Sequence, residues 1–408
     1  MTGHSWSVPE TEVVQSIRDH LDGRAGDPDG PPAVLATVVG VEGNAYRRPG
    51  AKMLLGADGE GVGAITAGCL EEDLASVAAR IRETGTPEVV TYDLMDDEDD
   101  VWGLGVGCNG IIDVLLEPLT ETYRPAVDAL EEGRDVAVAT VLDGGDGPLA
   151  RGDRAYYRPD EGTLRTPDGE VATGWPEELT GPAGDLAGRG RGDTLAFDVD
   201  GTTVDLFVDG VAAPTDLVVF GTGHDVGPVT ELAARNDFRV TVVGFRGAVD
   251  LADRFPDADR TLTTSPARLG EDLRLDDRTH AVVMTHNFVD DRIVVETLLD
   301  AGVAYVGLMG PRERFEEMLE AFADEGRTFD ESELAPLYTP VGLDLGGGSP
   351  YQIAHSIVAE VLAVSNDRDP RHLKEREGPI HERVNVGDGD DGGSDGGGSG
   401  ADADAPTQ

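Results

Sequence analysis

Cysteine and lysine are nearly missing from this chain of 408 residues. Two cysteines, Cys69 and Cys108, are too few for a disulfide framework. No set of four Cys/His ligands at short spacing points to a structural zinc site either. Only Lys52 and Lys374 are lysines, so arginine supplies nearly all the positive charge. No apolar run approaches the roughly 20 residues of a membrane span. The first thirty residues are polar, which argues against an export signal. Free thiols and a cytoplasmic location are expected.

Acid is what the chain has in abundance. Eighty acidic residues stand against thirty-two basic ones, a formal charge of −48. A disordered acidic protein is excluded, because 39% of the residues are hydrophobic and long apolar segments recur. The self-repulsion of such a charge is screened at high salt, so the composition reads as that of a halophilic cytosolic protein. It also argues against generic nucleic-acid binding.

Three units and a tail are expected: an N-terminal α/β domain over 1–120, a β-rich extension over 121–213, a doubly wound domain over 214–385, and a disordered tail over 386–408. In the first unit "ETEVVQSIRDHL" reads as an amphipathic helix and "AVLATVVGV" as a buried strand. "AKMLLGADGEGVGAI" reads as two strands around an Asp58-Gly59 turn. Leu70, Leu74, Val77, Ala78 and Ile81 form one helical face, and "IIDVLLEPL" is a further strand. In the second unit "TGPAGDLAGRGRGD" reads as a solvated insertion. From 216 to 365, strands rich in Val and Ile alternate with helices, the pattern of a parallel Rossmann-like sheet.

"DLVVFGTGHDVGPV" places Gly221, Gly223 and Gly227 between a strand and a helix. The first glycine suits a tight turn, the second lets backbone amides approach a phosphate, and the helix start adds partial positive charge. His224 and Asp225 add polar groups that a packing-only turn does not need. At the end of the next strand, Gly244 stands where an acidic residue would take a ribose hydroxyl, with Arg246 two residues on. That favours NADP or another phosphorylated ligand over NAD, unless Arg246 is merely a surface arginine. Further loops at strand ends offer His286, Asn287 and Asp290, then Arg312 and Arg314. Asp290 reads as the cap of the following helix. "DLGGGSPYQIAHSIVAE" enters another helix, with Pro350 in its first turn.

Five segments, "AYRRPGAKMLL", "AGCLEEDL", "WGLGVGCNGIIDVLLEPL", "VVFGTGHDVGPV" and "YVGLMGPRERF", occur in this order. Together they resemble the XdhC/CoxI proteins, maturation factors for xanthine dehydrogenase and related molybdenum hydroxylases such as carbon monoxide dehydrogenase. The resemblance covers about 30–120 and 214–365. It implies a protein that binds the molybdenum cofactor (molybdopterin), protects it and passes it on, with sulfuration as a further step. The partners it implies are an apo molybdenum hydroxylase and a cysteine desulfurase; a homodimer is left open. The family usually carries an acidic residue where this chain has Gly244. It often has an extra glycine where this chain has Thr66-Ala67-Gly68. The alternative is an NADP-dependent oxidoreductase, although no Tyr-x-x-x-Lys pair accompanies the glycine loop.

The cysteines acquire roles within that frame. Cys69 precedes a helix, where the dipole and unpaired amides would stabilise a thiolate, with Glu71 and Glu72 opposing. Cys108 lies between Gly107 and Asn109, a setting open to a bulky ligand. Together they suit a soft metal, a dithiolene edge or a transferable sulfur; the other reading of Cys69 is a small buried hydrophobe. Arg47, Arg48 and Lys52, clustered at a Pro-Gly turn, suit a phosphate or a pterin tail.

Overall fold

The computed structural model describes residues 5–26, 30–43, 47–57, 59–66, 68, 70–93, 110–199, 201–247 and 250–375. Cys69, Cys108 and the acidic tail lie outside these residues.

The chain folds into three sheets. The first contains β1 (Val34–Gly43), β2 (Lys52–Leu55), β3 (Gly61–Gly63), β4 (Glu88–Asp93) and β5 (Gly110–Pro118), in the order β3-β2-β1-β5-β4. Its pairings are antiparallel. Helix α1 (Glu10–Leu21) buries Val13 and Ile17, one turn apart. Helix α2 (Glu71–Thr84) buries the expected stripe of Leu74, Val77, Ala78 and Ile81. Both helices and the sheet's strands form where the apolar periodicity places them.

A helix α3 (Arg124–Glu131) leads into the second sheet, which is also antiparallel. It contains β6 (Val136–Asp143), β7 (Arg154–Arg158), β8 (Thr163–Arg165), β9 (Gly192–Val199) and β10 (Thr202–Val211), in the order β8-β7-β6-β10-β9. The segment read as a solvated insertion is instead helix α4 (Thr180–Arg189), which buries Ala183, Leu186 and Ala187 against this sheet. Its glycines and small residues hide a short apolar stripe at helical spacing. Gly210 permits the contact, since a Cβ there would lie 1.9 Å from the Leu186 carbonyl oxygen. Residue 120 falls inside a shared core: Val13, Ile17, Leu35 and Leu119 pack with Ala126, Val127, Val136 and Tyr156.

The third sheet is parallel and contains β11 (Asp216–Phe220), β12 (Arg239–Gly244), β13 (Arg260–Thr263), β14 (Thr279–Val283), β15 (Tyr305–Leu308) and β16 (Leu337–Tyr338). Its order, β13-β12-β11-β14-β15-β16, reverses direction between β11 and β14. Helices α5 (Val226–Ala234), α6 (Leu251–Arg254), α7 (Leu269–Asp272), α8 (Phe288–Ala301), α9 (Arg312–Asp324) and α10 (Pro350–Ser365) lie between or after the strands. Two apolar clusters cover the sheet. Among the described residues these clusters share no member with those of the first two sheets. Polar contacts bridge the divide instead. The Thr11 backbone N–H and hydroxyl donate to Asp237 at 2.9 and 3.2 Å, and Arg278 pairs with Asp135 at 3.1 Å. Among the described residues, no helix is long and apolar enough to cross a membrane.

Candidate functional site

In an open parallel sheet, ligands bind beyond the carboxyl ends of the strands, where the order reverses. Here that point lies between β11 and β14, flanked by the glycine turn after β11 and by Thr285, His286 and Asn287 after β14. Gly221 is a structural glycine: its φ is 150°, and a Cβ there would come 2.6 Å from the Met284 carbonyl oxygen. Gly223 is different. A Cβ there would meet nothing closer than the His286 ring, at 3.9 Å, so this glycine leaves space at the crevice. His224 is exposed, and Asp225 precedes α5 without a side-chain cap. Gly227 has open space around it and is not required by close packing.

The absence of an acid at the end of β12 has a steric cause. A Cβ at Gly244 would lie 2.9 Å from the Thr222 methyl and 3.2 Å from Leu251, so the glycine turn's own side chain fills that position. Arg246 beyond it is exposed and pairs with no described residue.

His286 is exposed and held in the left-handed region, with φ at 59°. It lines a crevice of about 520 Å³ together with Met309, Gly310, Arg314, Val341 and Ile353. Helix α8 is capped by Asn287, whose side chain accepts from the Val289 and Asp290 amides. The expectation that Asp290 is the cap is therefore corrected; the asparagine three residues earlier has the extended backbone and reach a cap needs. Asp291, which sequence reasoning passes over, is 1% exposed and carries the polar framework. It accepts from the Thr285 hydroxyl at 2.5 Å and pairs with Arg314. A signal for it exists: Asp291 falls on the apolar stripe of Val294, Val295 and Leu298. Arg314 has a buried Nε with no partner among the described residues. Arg312 points away, its side chain 79% exposed beside Glu316. At the start of α10, Ser349 and Gln352 form a reciprocal cap.

The remaining expected residues lie elsewhere. Register places the upper end of the first sheet at Gly43 opposite Gly110 and Asp93 opposite Ile111, with Gly63 opposite Met53. Arg47 and Arg48 shortly precede β2 at that same end; positions 69 and 108 lie outside the described residues. Flanking position 69, the Gly68 and Leu70 amides both donate to the buried Glu71 carboxylate, at 3.2 and 2.9 Å. These two amides, just before α2, are therefore taken up by Glu71. Arg47 is exposed and Arg48 half-buried. Lys52 donates to Asp209 at 2.6 Å and to the Gly50 carbonyl at 2.8 Å. Burial pushes its ammonium down, but Asp209, together with Tyr123 and Glu10, outweighs this and holds it above the ordinary lysine range. Its charge is already matched. The residues expected to form one cofactor site thus divide between the crevice and the end of the first sheet.

The strand order 3-2-1-4-5-6 and the glycine turn after β11 define a Rossmann-type domain. The chain belongs to the XdhC and CoxI family, whose pattern matches residues 28–93, with the XdhC Rossmann domain matching 217–361. A Bacillus subtilis protein described as a probable xanthine dehydrogenase subunit is 31% identical over 334 residues, covering 81% of this chain and 92% of that protein. A solved structure described as a xanthine dehydrogenase from Bacillus halodurans is 29% identical, with a TM-score of 0.67 over 88% of this chain and 96% of that one. An uncharacterised Escherichia coli protein, YqeB, is 26% identical over 180 residues, 44% of this chain and 32% of its own length. Family membership ties the chain to xanthine dehydrogenase maturation.

Proposed function

We propose that the protein binds the molybdenum cofactor by its phosphorylated end in the crevice at the strand reversal and hands it to an apo molybdenum hydroxylase. The observation that carries this reading is the close approach of the glycine turn to His286, where a Cβ at Gly223 would clash with nothing and touch only that ring, at 3.9 Å. A phosphate there would meet the backbone amides of the turn and the amino end of α5. His286 also lines the neighbouring 520 Å³ crevice, where Arg314, paired with Asp291, supplies a guanidinium whose Nε has no partner among the described residues. Such donors suit an anionic group. The molybdenum centre supplies oxygen-transfer and redox chemistry once in its client.

The chain's own residues bind, orient and shield. His224 and Gly227 complete the turn, and Cys69 and Cys108 are assigned to sulfur handling, with a cysteine desulfurase as donor. The client is of the xanthine or carbon monoxide dehydrogenase type, and the exchange takes place in the cytoplasm. Mixing the cofactor-loaded protein with an apo-hydroxylase tests this: the account expects activity to appear faster than with free cofactor. Equal rates with and without the protein would overturn it. A second reading, an NADP-dependent oxidoreductase, is favoured by exposed Arg246 at the end of β12. NADPH oxidation by the isolated protein with candidate acceptors would select it.

A further inference from the structure

A pocket of about 230 Å³ opens between α1 and α3. Its walls are apolar: Val13 and Val14 from α1, Ala126, Val127 and Leu130 from α3, and Val211 at the end of β10. Val14, Leu130 and Val211 are only half-buried, so an occupant would cover apolar surface that the fold leaves open. An apolar cavity of roughly 150 Å³ holds one benzene ring, so this pocket has room for a ring with a small substituent.

Tyr123 also lines the pocket, and its hydroxyl is an exception. Three tyrosines are buried among the described residues. Tyr156 donates to the Thr122 carbonyl, and Tyr305 donates to Glu360 at 2.6 Å. Tyr123 is 5% exposed, yet its hydroxyl has no hydrogen-bond partner among the described residues. A buried hydroxyl left unpaired is costly, and the deficit marks where a ligand atom belongs. Burial pushes this phenol up to about 12, so at neutral pH it is a proton donor. Lys52 and Asp209 both act on it electrostatically, which places the hydroxyl at the Lys52 end of the pocket.

Charge narrows the occupant further. Lys52 already serves Asp209 at 2.6 Å and the Gly50 carbonyl at 2.8 Å, and Arg18 pairs with Glu131. Glu10, Glu131 and Asp237 line the pocket against Arg18 and Lys52, so an anion would meet net repulsion. The unmet group is a donor beside an ammonium, which a cation cannot satisfy. A neutral acceptor satisfies both conditions.

We infer that this pocket is a binding site for a small uncharged single-ring compound whose carbonyl oxygen accepts from the Tyr123 hydroxyl. It is separate from the crevice at Gly223 and does not rest on the cofactor reading. Bound there, the compound would touch α1, α3 and the segment from Val211 to Pro214 that leads into β11.

Calorimetric titration of the full chain in molar KCl with three probes of similar shape tests the assignment: acetophenone, ethylbenzene and benzoate. The parent is expected to bind acetophenone, and to bind benzoate about tenfold or more weakly than that. Tyr123→Phe keeps the ring, and should lose about threefold to tenfold in acetophenone affinity while ethylbenzene affinity stays unchanged. Val14→Trp, on the half-buried side of α1, should fill the space and abolish binding of both. Gly223→Val should bind acetophenone as the parent does. No acetophenone binding by the parent, or equal affinity in the parent and Tyr123→Phe, would overturn the site. So would undiminished binding by Val14→Trp, loss of binding in Gly223→Val, or benzoate bound as tightly as acetophenone.

Discussion

A Cβ on Gly223 would stand 3.9 Å from the His286 imidazole, so the glycine turn and His286 come together where the strand order reverses. Gly221, two residues earlier, has no such room, with the Met284 carbonyl oxygen 2.6 Å from its Cβ position. The packing requires a glycine at 221 and does not require one at 223.

Substitution should separate the two. Gly223→Val is expected to fold and to lose phosphorylated ligands by about tenfold or more, because its side chain occupies the space of approach. Gly221→Ala is expected to destabilise the chain by more than about 1 kcal/mol, through its positive φ and backbone clash. Denaturant melts with ligand titrations check both. A Gly223→Val protein that binds like the parent would reduce the loop to a turn.

His280 sets a pH dependence. It is buried on β14, stacked on Tyr305 at 6.0 Å, and burial pushes its pKa down despite the Arg278 carbonyl. The unfolded chain takes up this proton near pH of about 6.5 while the folded chain still refuses it. Stability from this residue is therefore complete above that pH and is lost as pH falls from it toward the depressed folded value. Within that window the slope reaches at most about 1.4 kcal/mol per pH unit. His280→Phe keeps the stack and should flatten the slope, as measured by denaturant melts from neutral pH downward. An unchanged slope would remove His280 as its source.

Salt should matter more than for most proteins. The charge of −48 repels itself over a screening length that shrinks from about 10 Å at 0.1 M to about 3 Å at 1 M salt. The melting temperature is expected to rise steeply between dilute buffer and molar KCl. A flat response would contradict the halophilic reading.

Glu71 is expected to control the thiol two positions before it. Its carboxylate accepts from Gly68 and Leu70 and brings negative charge to the start of α2. Glu71→Gln should raise the thiolate fraction at Cys69 near neutral pH, since a negative neighbour disfavours ionisation. Faster alkylation of Cys69 in the variant is the expected result. Slower or equal alkylation would show that Glu71 does not control it.

Much of the fold is legible in the sequence because its signals are local. The periodicity of "ETEVVQSIRDHL" marks α1, and the Val-rich runs after Asp216 and Arg239 mark parallel strands. The turn after β11 is visible for the same reason. Helix α4 is not, because Gly181, Gly184 and Gly188 mask a stripe of only three buried residues. Asn287 and Asp291 escape sequence reasoning because capping and burial depend on where the chain turns, which composition does not set. Lys52 looks like a free cation in the sequence because its partner Asp209 is distant in the chain.

The most direct measurement is equilibrium binding of the molybdenum cofactor to the purified chain and to Gly223→Val, at molar salt with the thiols reduced. The account predicts tight, near-stoichiometric binding by the parent and a loss of about tenfold or more in the variant. No binding by the parent, or equal binding by both proteins, would contradict it.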